Sequence, residues 1–212
     1  MPTAVEFWES KHRDMSVRQK GPHDLADELD KCLAPRSTIL ELGCGAGRDA
    51  VRLAEAGHRV VACDFSDTAL QEFAADATRL GIAQRRQDLA ELPYLFADNG
   101  FDAVYARLSL HYFTAATTRD IFTEIARLLR ENGVFLGLFN SHLDTENGTG
   151  TPIEERYFEL ASGSRKRYFT AEEAADLLGP AFYKIDSRYV PAQCPGSTQL
   201  VRIGRASCRE RV

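Results

Sequence analysis

The chain has 212 residues, 44% of them hydrophobic and 27% charged, with a formal net charge of -5. That size and balance suit one sizeable core and exclude a disordered, collagen-like or disulfide-scaffold protein. No apolar run approaches the roughly 20 residues that span a bilayer, and Met1 to Met15 carries Glu6, Glu9, Lys11, His12, Arg13 and Asp14 where a signal peptide is apolar, so a cytoplasmic protein off the membrane is expected.

Apolar periodicity alternates between strand-like and helix-like stretches, the pattern of a parallel sheet covered by helices. An amphipathic helix at His23 to Cys32, within an N-terminal helical cap of residues 1–33, precedes a strand at Thr38 to Leu42. A glycine turn leads into a helix from Arg48 to Ala56, a strand from Arg59 to Cys63 and a helix from Ser66 to Leu80, with Ser66 as its N-cap. Strands follow at Ala83 to Gln87 and Phe101 to Ala106, then a helix at Thr117 to Leu129 and a strand at Val134 to Phe139. Residues 141–170 show no regular beat, a length uncommon in passive connections and frequent in active-site covers. A helix at Ala171 to Leu178 and strands at Tyr183 to Val190 and Gln199 to Arg202 end the pattern. The last ten residues, IGRASCRERV from Ile203 to Val212, are what ATC GGA AGA GCG TCG TGT AGG GAA AGA GTG encodes, a string resembling a short-read sequencing adapter. They are therefore read as a non-native tail to a domain of residues 1–202, against the alternative of a native basic tail. Without them the chain carries 23 basic and 30 acidic residues, a net charge of -7, which disfavours nucleic acid as a partner.

The strongest chemical signal is ELGCGAGRD, Glu41 to Asp49, between a strand and a helix. Gly43, Gly45 and Gly47 allow a sharp turn and close approach to a ligand, and the helix N-terminus offers unpaired N–H groups. Asp64, seventeen residues after Gly47, ends the next strand, where a carboxylate can accept both hydroxyls of a ribose. Asp88 follows the third strand and can accept from an exocyclic amine. Five cysteines without a C-x-x-C pair or a Cys/His cluster argue for free thiols and no metal. Cys44 in the glycine loop reads as a small filler.

On these residues the chain resembles the class I S-adenosylmethionine-dependent methyltransferases, from Trp8 to Arg202. ELGCGAG looks like that family's first motif, Asp64 like its ribose-binding acid, Asp88-Leu89 like its adenine contact, FDAVYARLSLHYF like the motif after strand four and LLRENGVFLGLFN like that of strand five. The resemblance implies an α/β, Rossmann-like, doubly wound sheet of seven strands in the order 3-2-1-4-5-7-6, strand 7 antiparallel, with helices on both faces and the ligand at the topological switch point. It also implies S-adenosylmethionine as cofactor, with S-adenosylhomocysteine as product. Gly43 would meet the methionine amine, Glu41 would support it indirectly, and Phe65 would pack on the adenosine. The stretch GRDAVRLAEAGHRV looks closest to small-molecule enzymes of the tellurite-resistance and thiopurine type.

Methyl transfer at an O, N or S atom needs a base only when the acceptor must lose a proton. His111, just past strand four, is the candidate base, with Arg107 and Tyr112 to orient the acceptor; Arg107, like Cys44 of the glycine loop, is also a candidate cofactor contact. Asn140, His142 and Asp144, with Arg165, Lys166, Arg167 and Tyr168 in the long cover, are further candidates for acceptor contact. Trp8 either closes over the cofactor or packs the N-terminal helix. A small-molecule acceptor and a monomer or homodimer are expected, with a protein or RNA acceptor as the alternative. The Asn/Asp-Pro-Pro-Tyr signature of nucleic-acid amino methyltransferases is absent. Readings from other classes are a nicotinamide-dependent oxidoreductase, disfavoured by Arg48 and the lack of a Tyr-x-x-x-Lys pair, and a cofactor-binding protein without turnover.

Overall fold

The computed structural model of the chain describes residues 4–13, 24–191 and 198–206. Its centre is a seven-stranded sheet built from β1 (Thr38–Leu42), β2 (Arg59–Asp64), β3 (Ala83–Arg86), β4 (Phe101–Arg107), β5 (Leu129–Asn140), β9 (Phe182–Pro191) and β10 (Thr198–Ala206), in the order β3-β2-β1-β4-β5-β10-β9. The first five strands are parallel, and β10 runs antiparallel between β5 and β9. This is the expected order, with the direction of the chain switching sides between β1 and β4.

Both faces of the sheet are buried, so its strands read as near-continuous apolar runs. Period-2 alternation divides them between two cores. Leu40, Val104, Phe135 and Phe139 face α6 (Ala115–Leu128) and α7 (Ala171–Leu178). Ile39, Ala103, Leu136 and Leu138 face α2 (Asp24–Lys31), α3 (Arg48–Glu55) and α5 (Ala74–Leu80). Phe122 of α6 sits between Phe135 and Phe139, its ring centroid 5.6 and 6.1 Å from theirs. The N-terminal helix α1 (Ala4–Arg13) packs on α4 (Asp67–Glu72), where Thr68 donates to the Glu9 carboxylate.

Three segments depart from the sequence expectation. The helix expected over Ser66 to Leu80 is two helices, α4 and α5, broken at Phe73, whose backbone leaves helical geometry (φ -117°, ψ 17°). The break lets the buried Phe73 ring press on the glycine loop, where a Cβ on Gly47 would lie 2.3 Å from it. Residues 141–170 are not irregular: they hold a three-stranded antiparallel sheet of β6 (Thr151–Glu154), β7 (Tyr157–Glu159) and β8 (Arg165–Arg167). Finally, β10 does not stop at Arg202. Ile203, Gly204 and Arg205 pair in register with Leu136, Phe135 and Val134, and Ala206 is buried. A strand with partners on both sides pairs through its backbone, whatever side chains it carries. Residues 203–206 of the segment read as a tail therefore belong to the sheet, and residues 207–212 lie outside the described residues.

Candidate active site

The carboxyl ends of β1 to β4 surround a cavity of about 410 Å³, within the range of small-molecule and cofactor sites. Residues of successive strands reach its wall in sheet order: Gln87, Asp88 and Leu89 after β3, Asp64 and Phe65 at the end of β2, Gly43, Cys44, Gly45, Ala46 and Arg48 after β1, and Arg107, Leu108, Ser109, Tyr112 and Phe113 after β4. Trp8 of α1 completes the wall. Its ring meets Tyr112 edge-on, centroids 5.0 Å apart.

The glycine loop is fixed by its own backbone and by Asp64. Gly43, Gly45 and Gly47 all have positive φ (73°, 51° and 68°), which L side chains rarely adopt. Gly43 and Cys44 donate their N–H groups to the Cys63 carbonyl at 2.8 and 2.9 Å, and Gly45 N–H donates to Asp64 Oδ2 at 2.8 Å. Ser66 N–H donates to Asp64 Oδ1 at 2.9 Å. Asp64 thus ties the loop of β1 to the helix entry of β2 while standing on the cavity wall. Space, too, is decided by protein neighbours: a Cβ at Gly43 would fall 2.4 Å from Ser109 Cβ, and Ser109 Oγ donates to the Leu42 carbonyl at 2.6 Å. Gly43 and Gly45 reach the wall, whereas Gly47 serves packing against Phe73.

Beneath the loop lies a charged network. Arg107 Nε donates to Asp49 Oδ2 at 2.6 Å, and the Tyr105 hydroxyl donates to the same oxygen at 3.1 Å. Glu41 is buried with Oε2 unpartnered, and burial followed by the nearby Asp49 charge raises its pKa well above the carboxylate range. It lies behind the loop and does not line the cavity. Burial likewise pushes the Cys44 thiol far up, so this residue is a filler with its Sγ 3.6 Å from the Gly45 carbonyl.

The end of β4 carries the largest revision. Tyr112 and Phe113 are on the wall, but His111 is 2% exposed, lies behind it and stacks on Tyr112 at 4.1 Å. Burial, then the neighbouring Lys166 charge, holds its pKa down to about 3, and Nδ1 has no partner. A histidine so placed is a poor base for anything in the cavity, because protonating it would bury a charge. Leu108, at φ 54°, is a non-glycine in the left-handed region and turns the chain so that Ser109 can lock Gly43.

The segment expected to cover the site instead braces its wall from behind. No residue of 141–170 lines the cavity. Tyr157 donates its hydroxyl to the Tyr112 carbonyl at 2.9 Å, Arg167 Nε donates to the Phe113 carbonyl at 3.3 Å, and Ala115 N–H donates to Glu154 Oε2 at 2.9 Å. Its charged side chains find protein partners: Arg167 pairs with Glu154 and with Glu173 of α7, Arg165 with Glu159, and Lys166 and the Tyr168 hydroxyl with Glu146. The wall residues that the sequence did not single out for the site are Ala46, Arg48, Gln87, Leu108, Ser109 and Phe113. Ser109 was the most accessible of these, as a small polar residue directly after the fourth strand.

Among the described residues, no group of three or more His, Cys, Asp or Glu could hold a metal, and no helix is long and apolar enough to cross a membrane.

Residues 39–133 match the methyltransferase domain family. The chain is 35% identical over 106 residues to an uncharacterized methyltransferase of Synechocystis, covering 49% of this chain and 47% of that one. It is 36% identical over 104 residues to the demethylmenaquinone methyltransferase of Corynebacterium glutamicum, covering 48% and 40%. The chain thus spans about half the length, or less, of these curated relatives. Among solved structures, the 1,6-didemethyltoxoflavin-N1-methyltransferase of Burkholderia thailandensis, determined with 1,6-didemethyltoxoflavin and S-adenosylhomocysteine, superposes with a TM-score of 0.75 at 25% identity over 98% of this chain and 92% of that one. The chain has the α/β Rossmann-like fold of S-adenosylmethionine-dependent methyltransferases.

Proposed function

We propose that this chain is an S-adenosylmethionine-dependent methyltransferase acting on an O, N or S atom of a small-molecule acceptor. The observation that carries the reading is the strand-ordered wall itself: Asp88, Asp64, the glycine loop and Arg107 follow one another along the carboxyl ends of β3, β2, β1 and β4. The residues fit the cofactor. Asp64 stands on the wall at the end of the second strand, where a carboxylate can accept ribose hydroxyls, Asp88 and Leu89 can take an adenine edge and face, and Phe65 offers an apolar ring on the same wall. Glu41, with its unpartnered Oε2, would support the cofactor indirectly from the strand that leads into the glycine loop. Bound there, S-adenosylmethionine supplies a methyl group on a positively charged sulfur.

The chain's own part in catalysis is alignment and exclusion of water. Trp8, Leu108, Tyr112 and Phe113 give the β4 end an aromatic, apolar wall. Burial raises the pKa of the Tyr112 phenol, so its hydroxyl stays protonated and orients the acceptor as a hydrogen-bonding group. Arg107 stays a cation: burial is the largest single influence and works against its charge, and Asp49, Tyr105 and Glu41 together more than offset it. His111 supports the Tyr112 ring from behind. The reading of a small acceptor is supported by the cavity's size and by the Burkholderia and Corynebacterium proteins, whose names give a toxoflavin precursor and a demethylmenaquinone as their acceptors.

Calorimetric titration with S-adenosylmethionine, S-adenosylhomocysteine and NAD tests the cofactor. Micromolar binding of the two sulfur nucleosides without NAD is expected; the reverse selectivity makes the site a nicotinamide site. Turnover against a panel of small acceptors, read as S-adenosylhomocysteine formed, separates the enzyme from a binding protein.

A further inference from the structure

Aromatic rings reach the cavity wall at two places. Phe65 lines it after β2, whereas Trp8, Tyr112 and Phe113 line it at the β4 end. The planes of the Trp8 and Tyr112 rings meet at 77°, with centroids 5.0 Å apart, so the two rings form a corner. The protein holds that corner in place. The buried His111 ring, which does not line the cavity, lies against Tyr112 at 4.1 Å. The Tyr157 hydroxyl donates to the Tyr112 carbonyl at 2.9 Å, and Arg167 Nε donates to the Phe113 carbonyl at 3.3 Å. Both donors are themselves buried, and the Arg167 guanidinium carbon lies 5.2 Å from the centre of the Tyr157 ring. The corner therefore has its shape without a ligand to mould it.

Burial of apolar area favours a saturated and an aromatic molecule alike. Aromatic rings add a preference of shape, since pairs of them favour offset-stacked or edge-to-face contact over other arrangements. Two ring planes near a right angle offer both contacts at once: a flat ring laid on one presents its edge to the other. A corner already fixed by the protein loses little freedom when such a ring enters, which leaves more of the contact energy for binding. The acids of the wall, Asp64 and Asp88, stand at the β2 and β3 positions, across β1 from the corner. We infer that the methyl acceptor carries a flat, conjugated ring, which seats in the corner of Trp8 and Tyr112 at the β4 end of the cavity. This inference rests on the reading of the site as an S-adenosylmethionine site and narrows its small-molecule acceptor to one chemical class.

The test is calorimetry on the full chain saturated with S-adenosylhomocysteine, with 2-naphthol and its saturated counterpart decahydro-2-naphthol as probes. The two share a carbon skeleton and a hydroxyl and differ in flatness and conjugation. The parent chain is expected to prefer 2-naphthol by about fivefold or more, because each aromatic contact adds a factor of about two to ten beyond buried area. Tyr112→Leu, which keeps an apolar side chain and removes the ring, should lower that preference by about twofold or more, and Tyr112→Phe, which keeps the ring, should leave it unchanged. A smaller preference in the parent, no binding of 2-naphthol, or a preference that Tyr112→Leu leaves intact overturns the inference. Melting temperatures show whether the variants fold; if Tyr112→Leu does not, Phe113→Leu takes its place with the same expectation, and the ratio in the parent chain decides by itself against a site blind to flat rings. If the parent binds no S-adenosylhomocysteine, the cofactor reading fails and the inference falls with it. A parent that binds S-adenosylhomocysteine and does not distinguish the two probes fails the inference alone.

Discussion

The wall of the cavity and the brace behind it are built by opposite means. Between β1 and β3 the wall is shaped by the backbone: three glycines at positive φ, N–H groups given to the Cys63 carbonyl, and an aspartate whose two oxygens each take an N–H from a different loop. Behind β4 the brace is shaped by side chains, with Arg167 buried among Glu154, Glu173 and the carbonyls of Phe113 and Glu155. A backbone-built wall holds its form with few side-chain choices and leaves polar capacity directed at a ligand. A side-chain-built brace leaves none, because each charge is already answered. The difference explains why the charged cluster of the long segment, although rich in Arg and Lys, is committed to protein partners and stays off the cavity wall.

Breaking the brace should cost the fold more than the ligand. Arg167→Met leaves Glu154 and Glu173 without their buried partner and is expected to destabilise the chain by about 3–5 kcal/mol, the usual cost of stripping one side of a buried ion pair. Urea unfolding measures this, and S-adenosylhomocysteine affinity should change little under native conditions; a large loss of affinity with normal stability would make the brace part of the site. Breaking the wall should do the reverse. Asp64→Ala removes acceptors for Gly45 and Ser66 and is expected to weaken S-adenosylhomocysteine roughly a hundredfold, with Asp64→Asn in between. Calorimetry of the two variants would expose a purely structural aspartate if affinity held while stability fell.

His111 sits on the seam between the two regions and gives a pH signature. Its pKa is about 3 in the folded chain and near 6.5 unfolded. Below about pH 6.5 the unfolded chain therefore binds a proton that the folded chain refuses, and the stability present above that value is lost toward pH 3 at up to about 1.4 kcal/mol per pH unit. His111→Phe should unfold with a shallower pH dependence between about pH 5 and about pH 7, by up to that slope. Equal slopes in urea titrations of the two chains would place His111 in contact with solvent. The smallest effect expected is at Ser66, whose Oγ accepts from Ala69 N–H at 3.1 Å as the N-cap of α4. Ser66→Ala should lower stability by about 1 kcal/mol, seen as a modest shift in the melting temperature, and should leave the brace unaffected.

The same contrast decides what the sequence discloses. The wall was legible because its determinants are local: glycines between a strand and a helix, and acids at the ends of the next two strands. Sheet order was implied by the family resemblance that the motifs carry, and not by the strands themselves. The brace was not legible, since Arg167 finds Glu154, Glu173 and Phe113 through chain reversals that no periodicity encodes. His111 misled for a related reason: its spacing after β4 is right for a base, but β8, from a distant segment, supplies the Lys166 charge and helps bury the ring. The break at Phe73 depends on Gly47, 26 residues away, and so could not be read from the helix that it interrupts.

The position of β10 has a consequence for how the molecule is made. It follows every other described element in the chain, yet it lies inside the sheet, wedged antiparallel between β5 and β9. During synthesis the long flank of β5 must wait, unpaired, until residues 198–206 leave the ribosome. At about 5–20 residues per second, the interval from the end of β5 is on the order of 3–13 seconds. Throughout it the nascent chain presents an apolar strand with open N–H and C=O groups, a template for pairing with other chains. This strand thus acts as a closing stitch, and the nascent sheet is most exposed to aggregation in the interval before residues 198–206 emerge.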